Sequence, residues 1–273
     1  MQTCMMKLEG KFAMNSSINL TSPNFCAKQR ALYKLANGET VKLLELEKKD
    51  LSFIKKFSQN IDSYMDKKEI ETVTDKRLII DTSFKIIKEM LEMPAKLREK
   101  TRMFLAVSNN DVCGVLVGGM PKKTAQKTIK HSSRKFARDK ETELNWCAAW
   151  DSDSKHTRKG VGKIMLSEYI DTIKKDGFRK LFIQSEIPEL SYAKRFYESM
   201  GCKEMPCGQS PHRSIEQNKD IVNCVEDLYD YDIIPMLGNL KDISKAKEQA
   251  FGRYQREVLP QASVDLYKEI KTV

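Results

Sequence analysis

Apolar and polar positions follow two spacings along this chain, and the changes between them mark out its elements. Val41-Lys42-Leu43-Leu44-Glu45-Leu46 reads as a short strand. Asp50 then stands where an N-cap belongs, before a helix that sets Leu51, Ile54 and Phe57 on one face. A second helix is predicted over Asp81–Met93, with Phe84, Ile87, Lys88 and Leu91 at helical spacing and Pro94 interrupting it. The runs Arg102–Ser108 and Val112–Gly118 flank the turn cluster Asn109-Asn110-Asp111 and predict a hairpin. Glu143–Trp150 forms a third strand, with Leu144, Trp146, Ala148 and Trp150 alternating against polar or small neighbours. An amphipathic helix follows from Gly160 to Lys175, carrying Val161, Ile164, Met165, Tyr169, Ile170 and Ile173, and Gly177 suits the left-handed position that ends it. Phe178–Ile183 is the next strand, and Pro188–Met200 the next helix, closed by Gly201. Val222–Leu237 has room for one or two strands, and Asn239–Thr272 reads as helical, broken at Gly252 and Pro260.

That order predicts an α+β fold with a mainly antiparallel sheet and a βαβ unit in its second half. Residues 1–39 are set apart as an extension, because Asn15, Ser16, Ser17, Thr21, Ser22, Pro23 and Asn24 are polar and turn-prone. The main domain is expected over 40–237, with a helical tail at 238–273. At 273 residues and 40% hydrophobic content the chain has enough apolar side chains for a core. No run approaches the ~18 apolar residues of a membrane span. Lys7, Glu9, Lys11 and Asn15 interrupt the start, so no Sec signal peptide is expected, although export by another route stays open. The seven cysteines are scattered with no CxxC pair, which points to reduced thiols in a cytosolic chain. Cys202, Cys207 and His212 lie five residues apart, a poor match to zinc-ligand spacing, so no metal is expected.

The formal net charge of +10 is unevenly placed. Lys122, Lys123, Lys127, Lys130, Arg134, Lys135, Arg138 and Lys140 are opposed between 121 and 140 by Asp139 alone. Such a block is either a solvated loop or an attractor for an acidic partner: RNA, an acidic protein face or phosphate. Phe136 is its one aromatic, which gives base stacking little support.

The chemistry concentrates between Trp150 and Gly201. A strand runs into a polar loop that ends Thr157-Arg158-Lys159-Gly160-Val161-Gly162-Lys163, and a helix begins there. The first turn of a helix offers unpaired N–H groups and the positive end of its dipole, and glycine lets an anion approach the backbone. The segment is not a Walker A loop, since Ile164 follows Gly162-Lys163, and it lacks the third glycine of a dinucleotide fingerprint. Further on, Ala193, Phe196, Tyr197 and Gly201 fall at a fixed spacing on the next helix.

Together these motifs resemble the GCN5-related N-acetyltransferase (GNAT) superfamily. Its pyrophosphate loop reads Arg/Gln-x-x-Gly-x-Gly/Ala, matched here by Gly160 and Gly162 with Thr157 in the first place. Its fourth helix reads Ala-x-x-(Leu/Phe)-Tyr-x-x-x-Gly-Phe, matched by Ala193, Phe196, Tyr197 and Gly201 with Cys202 last; Leu190 stands where an Asn is common. The resemblance implies a mixed, mainly antiparallel twisted sheet flanked by helices, here with helical N- and C-terminal extensions. It implies acetyl transfer from acetyl-CoA to a primary amine. The strand would splay from its neighbour at a bulge, and its backbone at Cys147, Ala148, Ala149 and Trp150 would hold the thioester end and stabilise the oxyanion. Arg158, Lys159, Gly160, Val161, Gly162 and Lys163 would hold the pyrophosphate. Tyr197 sits at the family's phenol position, a general acid for the departing thiolate.

Glu143 resembles the general base of histone-type members; a water chain serves instead in others, and a strand-edge charge is the plainer reading. Asp151, Asp153 and His156 fall in the loop, and Cys147 is read as core rather than as a nucleophile, since no base accompanies it. The acceptor stays open. The basic segment favours an acidic acceptor such as an aminoacyl-tRNA, an acidic peptide or a phosphorylated metabolite, whereas Glu226, Asp227, Asp230 and Asp232 could line a groove for a polycation. Two alternatives stand beside a simple amine acetyltransferase: a toxin-like or translocated enzyme acting on a tRNA-borne or host-protein amine, and a non-catalytic binding module on the same fold.

Overall fold

In a computed structural model, the described residues are 26–35, 38–67, 75–98, 101–119, 141–150, 160–186, 192–204, 233–244, 255–257 and 263–270. The basic block at 121–140, the loop at 151–159, Leu190, and the acidic cluster at 226–232 lie outside them. The strands are β1 (Cys26–Lys34), β2 (Thr40–Glu45), β3 (Arg102–Ser108), β4 (Asp111–Gly118), β5 (Glu141–Ala149), β6 (Lys180–Glu186), β7 (Cys202–Glu204), β8 (Ile233–Asn239), β9 (Gln255–Glu257) and β10 (Ser263–Asp265). The helices are α1 (Leu51–Gln59), α2 (Ile61–Lys67), α3 (Asp75–Glu92), α4 (Ala95–Arg98), α5 (Val161–Lys175), α6 (Tyr192–Ser199) and α7 (Leu266–Glu269).

All the described strands join one sheet in the order β10-β1-β2-β3-β4-β5-β6-β8-β7, and β9 pairs with β1 beside β10. The β5–β6 pair is parallel, with α5 as its crossover, and the other described pairings are antiparallel. The sheet is therefore mixed, mainly antiparallel and flanked by helices. Each face carries its own apolar cluster. One gathers Phe104, Ala106 and Leu116 under Ile164, Tyr169 and Ile173 of α5. The other gathers Met103, Leu105, Val107 and Val115 under Phe53 and Phe57 of α1 and Phe84 and Ile87 of α3. Because β3 and β4 are covered on both sides, they read as unbroken apolar runs rather than alternating ones.

The local signals hold where the chemistry is specific. Asn109 and Asn110 adopt φ of 51° and 65°, the pair of left-handed residues that a two-residue type I′ hairpin needs. Helix α5 ends in a Schellman motif: the Gly177 N–H donates to Lys174 O at 3.1 Å and the Phe178 N–H to Ile173 O at 3.0 Å.

Several expectations are corrected. Asp50 precedes α1 but does not cap it with its side chain; its carboxylate accepts the Glu47 N–H at 2.7 Å, closing a capping box on the preceding 3-10 turn. Helix α3 begins at Asp75, six residues ahead of the expected Asp81, in a stretch where Leu78 faces solvent and breaks the apolar stripe. The segment set apart as a helical N-terminal extension supplies β1, in which Ala27, Gln29, Ala31 and Tyr33 are buried and alternate with more exposed neighbours. The tail expected to be helical supplies β9 and β10 as well as helical turns at 240–244 and in α7. Two three-residue strands are too short to print a period of two on the sequence.

Candidate active site

The sheet opens between β5 and β6. Their parallel pairing runs from Glu141↔Lys180 to Leu144↔Ile183 and stops there. Beyond that point β5 continues against β4 alone, from Trp146↔Val117 to Ala149↔Gly114, while β6 continues against β8. The divergence coincides with a β-bulge: Leu144 pairs with Gly118 and Trp146 with Val117, so Asn145 is an extra residue in β5. An extra residue reverses the facing of everything after it. Leu144 sits in the cluster beneath α5, and Trp146 sits on the opposite face, donating its indole N–H to Ser83 Oγ of α3 at 2.7 Å.

The edge of β5 that faces the gap is set by the ladder on its other side. The Trp150 N–H donates to Cys113 O of β4 at 2.9 Å. Successive N–H groups of a strand point to opposite edges. Ala148 is therefore turned to β4 with Trp150, and the N–H groups of Cys147 and Ala149 are turned to the gap. Of the four backbone positions expected to hold the thioester end, the geometry directs these two into the opening.

Helix α5 begins beside this gap. Gly160 is its N-cap residue at φ 90°, a conformation that costs a side-chain-bearing residue strain. The amides of Val161, Gly162 and Lys163 form its first turn, where N–H groups lack intrahelical partners. This end of α5 lies tight on β4, since a Cβ at Gly114 would come within 2.8 Å of Met165 Cε and 3.0 Å of Val161 Cγ1. Phe196 of α6 is next to it, 3.7 Å from where a Cβ of Gly162 would stand. Tyr197 is 7% exposed, belongs to the cluster that holds Val161 and Ile164, and meets the Phe196 ring edge-on at a centroid distance of 5.0 Å. The structure thus brings the helix start and the Tyr197 helix together at the open end of β5.

Glu143 takes the other face. Its neighbours Thr142 and Leu144 are turned to α5, Thr142 through a 3.3 Å contact with the Tyr169 hydroxyl, so Glu143 is turned to the α3 side. Burial pushes its carboxyl up to about 7. Its own backbone is fixed, because its carbonyl accepts from the Tyr169 hydroxyl at 2.8 Å and from the Gly119 N–H at 2.7 Å. Glu143 and Tyr197 therefore stand on opposite faces of the sheet. Cys147 packs beneath α5, and burial pushes its thiol up to about 12, which keeps it neutral and suits the core reading. Arg158 and Lys159, with Asp151, Asp153, His156 and Thr157, lie in the loop outside the described residues. Among the described residues no group of three or more His, Cys, Asp or Glu could hold a metal ion, and no helix is long and apolar enough to cross a membrane.

Sequence reasoning passed over the residues that support this site. Gly114 and Gly118 lie on one face of β4 and let α5 settle onto it; a Cβ at Gly118 would come within 2.2 Å of Tyr169 Cζ. Two glycines four apart in an apolar strand are a readable sign of close approach. The Trp146–Ser83 bond and the bulge at Asn145 had no such sign.

Residues 77–202 match the model of the acetyltransferase (GNAT) family. No curated protein matches the chain. Among solved structures, a GNAT-family acetyltransferase from Staphylococcus aureus Mu50 is 16% identical, covering 73% of this chain and 99% of its own, with a TM-score of 0.40. The PaiA N-acetyltransferase of Thermoplasma acidophilum, solved in complex with coenzyme A, is 12% identical over 73% of this chain and 98% of its own, with a TM-score of 0.40. The GNAT domain of S. lividans PAT is 10% identical over 77% and 96%, with a TM-score of 0.46. The family match spans residues 77–202, a little under half of the chain.

Proposed function

With a GNAT acetyltransferase domain at residues 77–202 as the premise, we propose that the chain moves an acetyl group from acetyl-CoA to a primary amine by direct attack. The observation that carries this reading is the opening of β5 from β6 beyond Leu144↔Ile183, beside the start of α5. The residues present fit such a donor. An opened strand edge presents the Cys147 and Ala149 N–H groups to an extended acyl-carrying arm, and the first turn of α5 presents the Val161–Lys163 amides and a positive dipole end to its phosphates.

The geometry supports the following roles. Glu143, its carboxyl raised to about 7, takes a proton from the incoming ammonium on the α3 side. The free amine attacks the thioester carbon, and the N–H groups facing the gap receive the charge that develops on the carbonyl oxygen. As the C–S bond breaks, the Tyr197 hydroxyl gives its proton to the sulfur from the α5 side, the new amide nitrogen releases its second proton to solvent, and solvent reprotonates the Tyr197 phenolate. A base and an acid on opposite faces keep the two proton transfers from competing.

The test is calorimetric titration with acetyl-CoA, followed by turnover of Tyr197→Phe against amine panels. Micromolar binding to the wild-type chain is expected. Tyr197→Phe is expected to fold and bind the donor while losing about 100-fold or more in kcat, the usual worth of a positioned acid. Failure of the wild type to bind acetyl-CoA would sink the reading, and full turnover in the phenylalanine variant would remove Tyr197 from it.

A further inference from the structure

Helix α5 is held by more than the strands that border the gap. Glu168 in its middle is 4% exposed, a place where a carboxylate persists only when it is paired. Its partners come from either side of the residues that match the family model. The Tyr33 hydroxyl of β1 donates to it at 2.5 Å, and the Arg256 guanidinium of β9 donates to both of its oxygens. Tyr33 and Arg256 stand directly opposite each other in the β1–β9 ladder, so the two strands present them together. The next residue of the helix reaches a different part of the sheet. The Tyr169 hydroxyl donates to Glu143 O of β5 at 2.8 Å, one residue before the last β5–β6 pair. Adjacent residues of α5 thus tie β1 and β9 to β5, although β1 and β5 are four strand spacings, roughly 19 Å, apart.

The weak element in this arrangement is β9. It is three residues long, and its described pairing is with Leu32, Tyr33 and Lys34 of β1. So short a strand on a sheet edge opens locally at little cost. The chain after it is anchored separately: Val264 and Leu266 are buried, the Tyr267 ring stands edge-on to Phe53 at 5.1 Å, and Lys42 Nζ meets Glu269 at 2.6 Å. β9 can therefore leave while β10 and α7 stay seated. Its departure strands the buried Glu168 carboxylate without its cation, and α5 has to shift or admit water to relieve that charge. We propose that Arg256 is a positioning residue of the donor site: a seated β9 locks α5 with its first turn at the gap, and a released β9 unlocks it. This rests on reading the gap as the acetyl-CoA site. Acetyl-CoA then binds the seated state better, and by linkage its binding holds β9 down.

The test reads that linkage in both directions on the whole chain. Hydrogen exchange of the wild type, with and without acetyl-CoA, follows residues 255–257. Exchange there is expected to slow on binding, although β9 lies far across the sheet from the gap; unchanged exchange at saturation overturns the proposal. In the other direction, calorimetry compares Arg256→Gln, Arg256→Lys and Ile54→Ala well below their unfolding temperatures. Ile54 is fully buried in the cluster on the α1 face, so its variant is destabilised without touching α5. Arg256→Gln is expected to lose about tenfold in acetyl-CoA affinity, within the usual span of a coupling between sites. Arg256→Lys keeps the cation and is expected to lose less, and Ile54→Ala to bind like the wild type. Equal losses in Arg256→Gln and Ile54→Ala would put the effect in overall stability and overturn the proposal, as would wild-type affinity in Arg256→Gln. Should Arg256→Gln not fold, the wild-type exchange result decides alone. A wild type that binds no acetyl-CoA removes the reading of the gap, and the hold of β9 on α5 is then decided by exchange at 141–149 and 161–175 in the ligand-free chains. Faster exchange there in Arg256→Gln than in Ile54→Ala supports that hold, and equal exchange overturns it.

Discussion

Glu143 is half-buried, no cation is among the causes that set its titration, and burial alone raises its carboxyl from 4.5 to about 7. The folded state then holds a proton that the unfolded state has released, so stability falls as pH rises from about 4.5 through 7 and levels off above it. Asp50, raised to about 6 by burial, pulls in the same direction over a lower window. Glu143→Gln is expected to flatten the part of the slope nearest neutrality and to raise the unfolding temperature at pH 8, measured by thermal melts across pH 4–9. If Glu143 is also the base, the same variant loses the rise in turnover that the wild type shows as pH passes about 7. A stabler but slower variant is the signature of a strained functional carboxyl; a stabler variant of undiminished rate would leave Glu143 a structural burden only.

Between elements, the closest approach is that of α5 to β4. The Tyr169 ring lies where a Cβ of Gly118 would be, at 2.2 Å from Cζ, and its hydroxyl reaches across to Glu143 O. Gly118→Ala is expected to destabilise the chain by about 3 kcal/mol, as overpacking of a filled core does, and Gly118→Ala with Tyr169→Leu to recover part of it; equilibrium denaturation measures both. The same contacts explain what the sequence made legible. The hairpin was readable because Asn-Asn is the chemistry its turn demands, and α5 because its apolar stripe and terminal Gly177 are written over fifteen residues. Opening of the strand at the bulge could be anticipated only through the family resemblance carried by Gly160, Gly162 and Tyr197. Its partner residues could not, since Asn145 and Ser83 are single polar residues whose meaning arises from strands and helices far apart in the chain. Strand β1 was missed because two of its four buried positions are alanines and a third is Gln29, which print a faint pattern.

Across the whole molecule, the two ends of the described chain meet on the far edge of the sheet. Strand β1 pairs with β2 on one side and with both β9 and β10 on the other. Glu168, 4% exposed in the middle of α5, receives the Tyr33 hydroxyl of β1 at 2.5 Å and the Arg256 guanidinium of β9 through both carboxylate oxygens. α7 is anchored as well, by Leu266 in the core and by the Tyr267 ring edge-on to Phe53 at 5.1 Å. Arg256→Gln is expected to cost about 2 kcal/mol, the worth of hydrogen bonds to a buried charge. Glu168→Gln in that background is expected to restore much of it, because the stranded charge is then gone. Denaturant melts of the single and double variants would check this, and additive losses would show that the two side chains act independently.

That carboxylate has a consequence for how the protein comes into being. Arg256 follows Glu168 by 88 positions, which at ~5–20 residues per second is roughly 4–18 s of translation. During that interval β1 has no C-terminal strands beside it and α5 holds an acidic group without its cation. The nascent chain therefore cannot complete its helix-on-sheet layer from the N-terminus onward, as its order of elements would suggest. The final seating of α5, and with it the shape of the gap that α5 borders, waits on a residue that the ribosome adds 88 positions after Glu168.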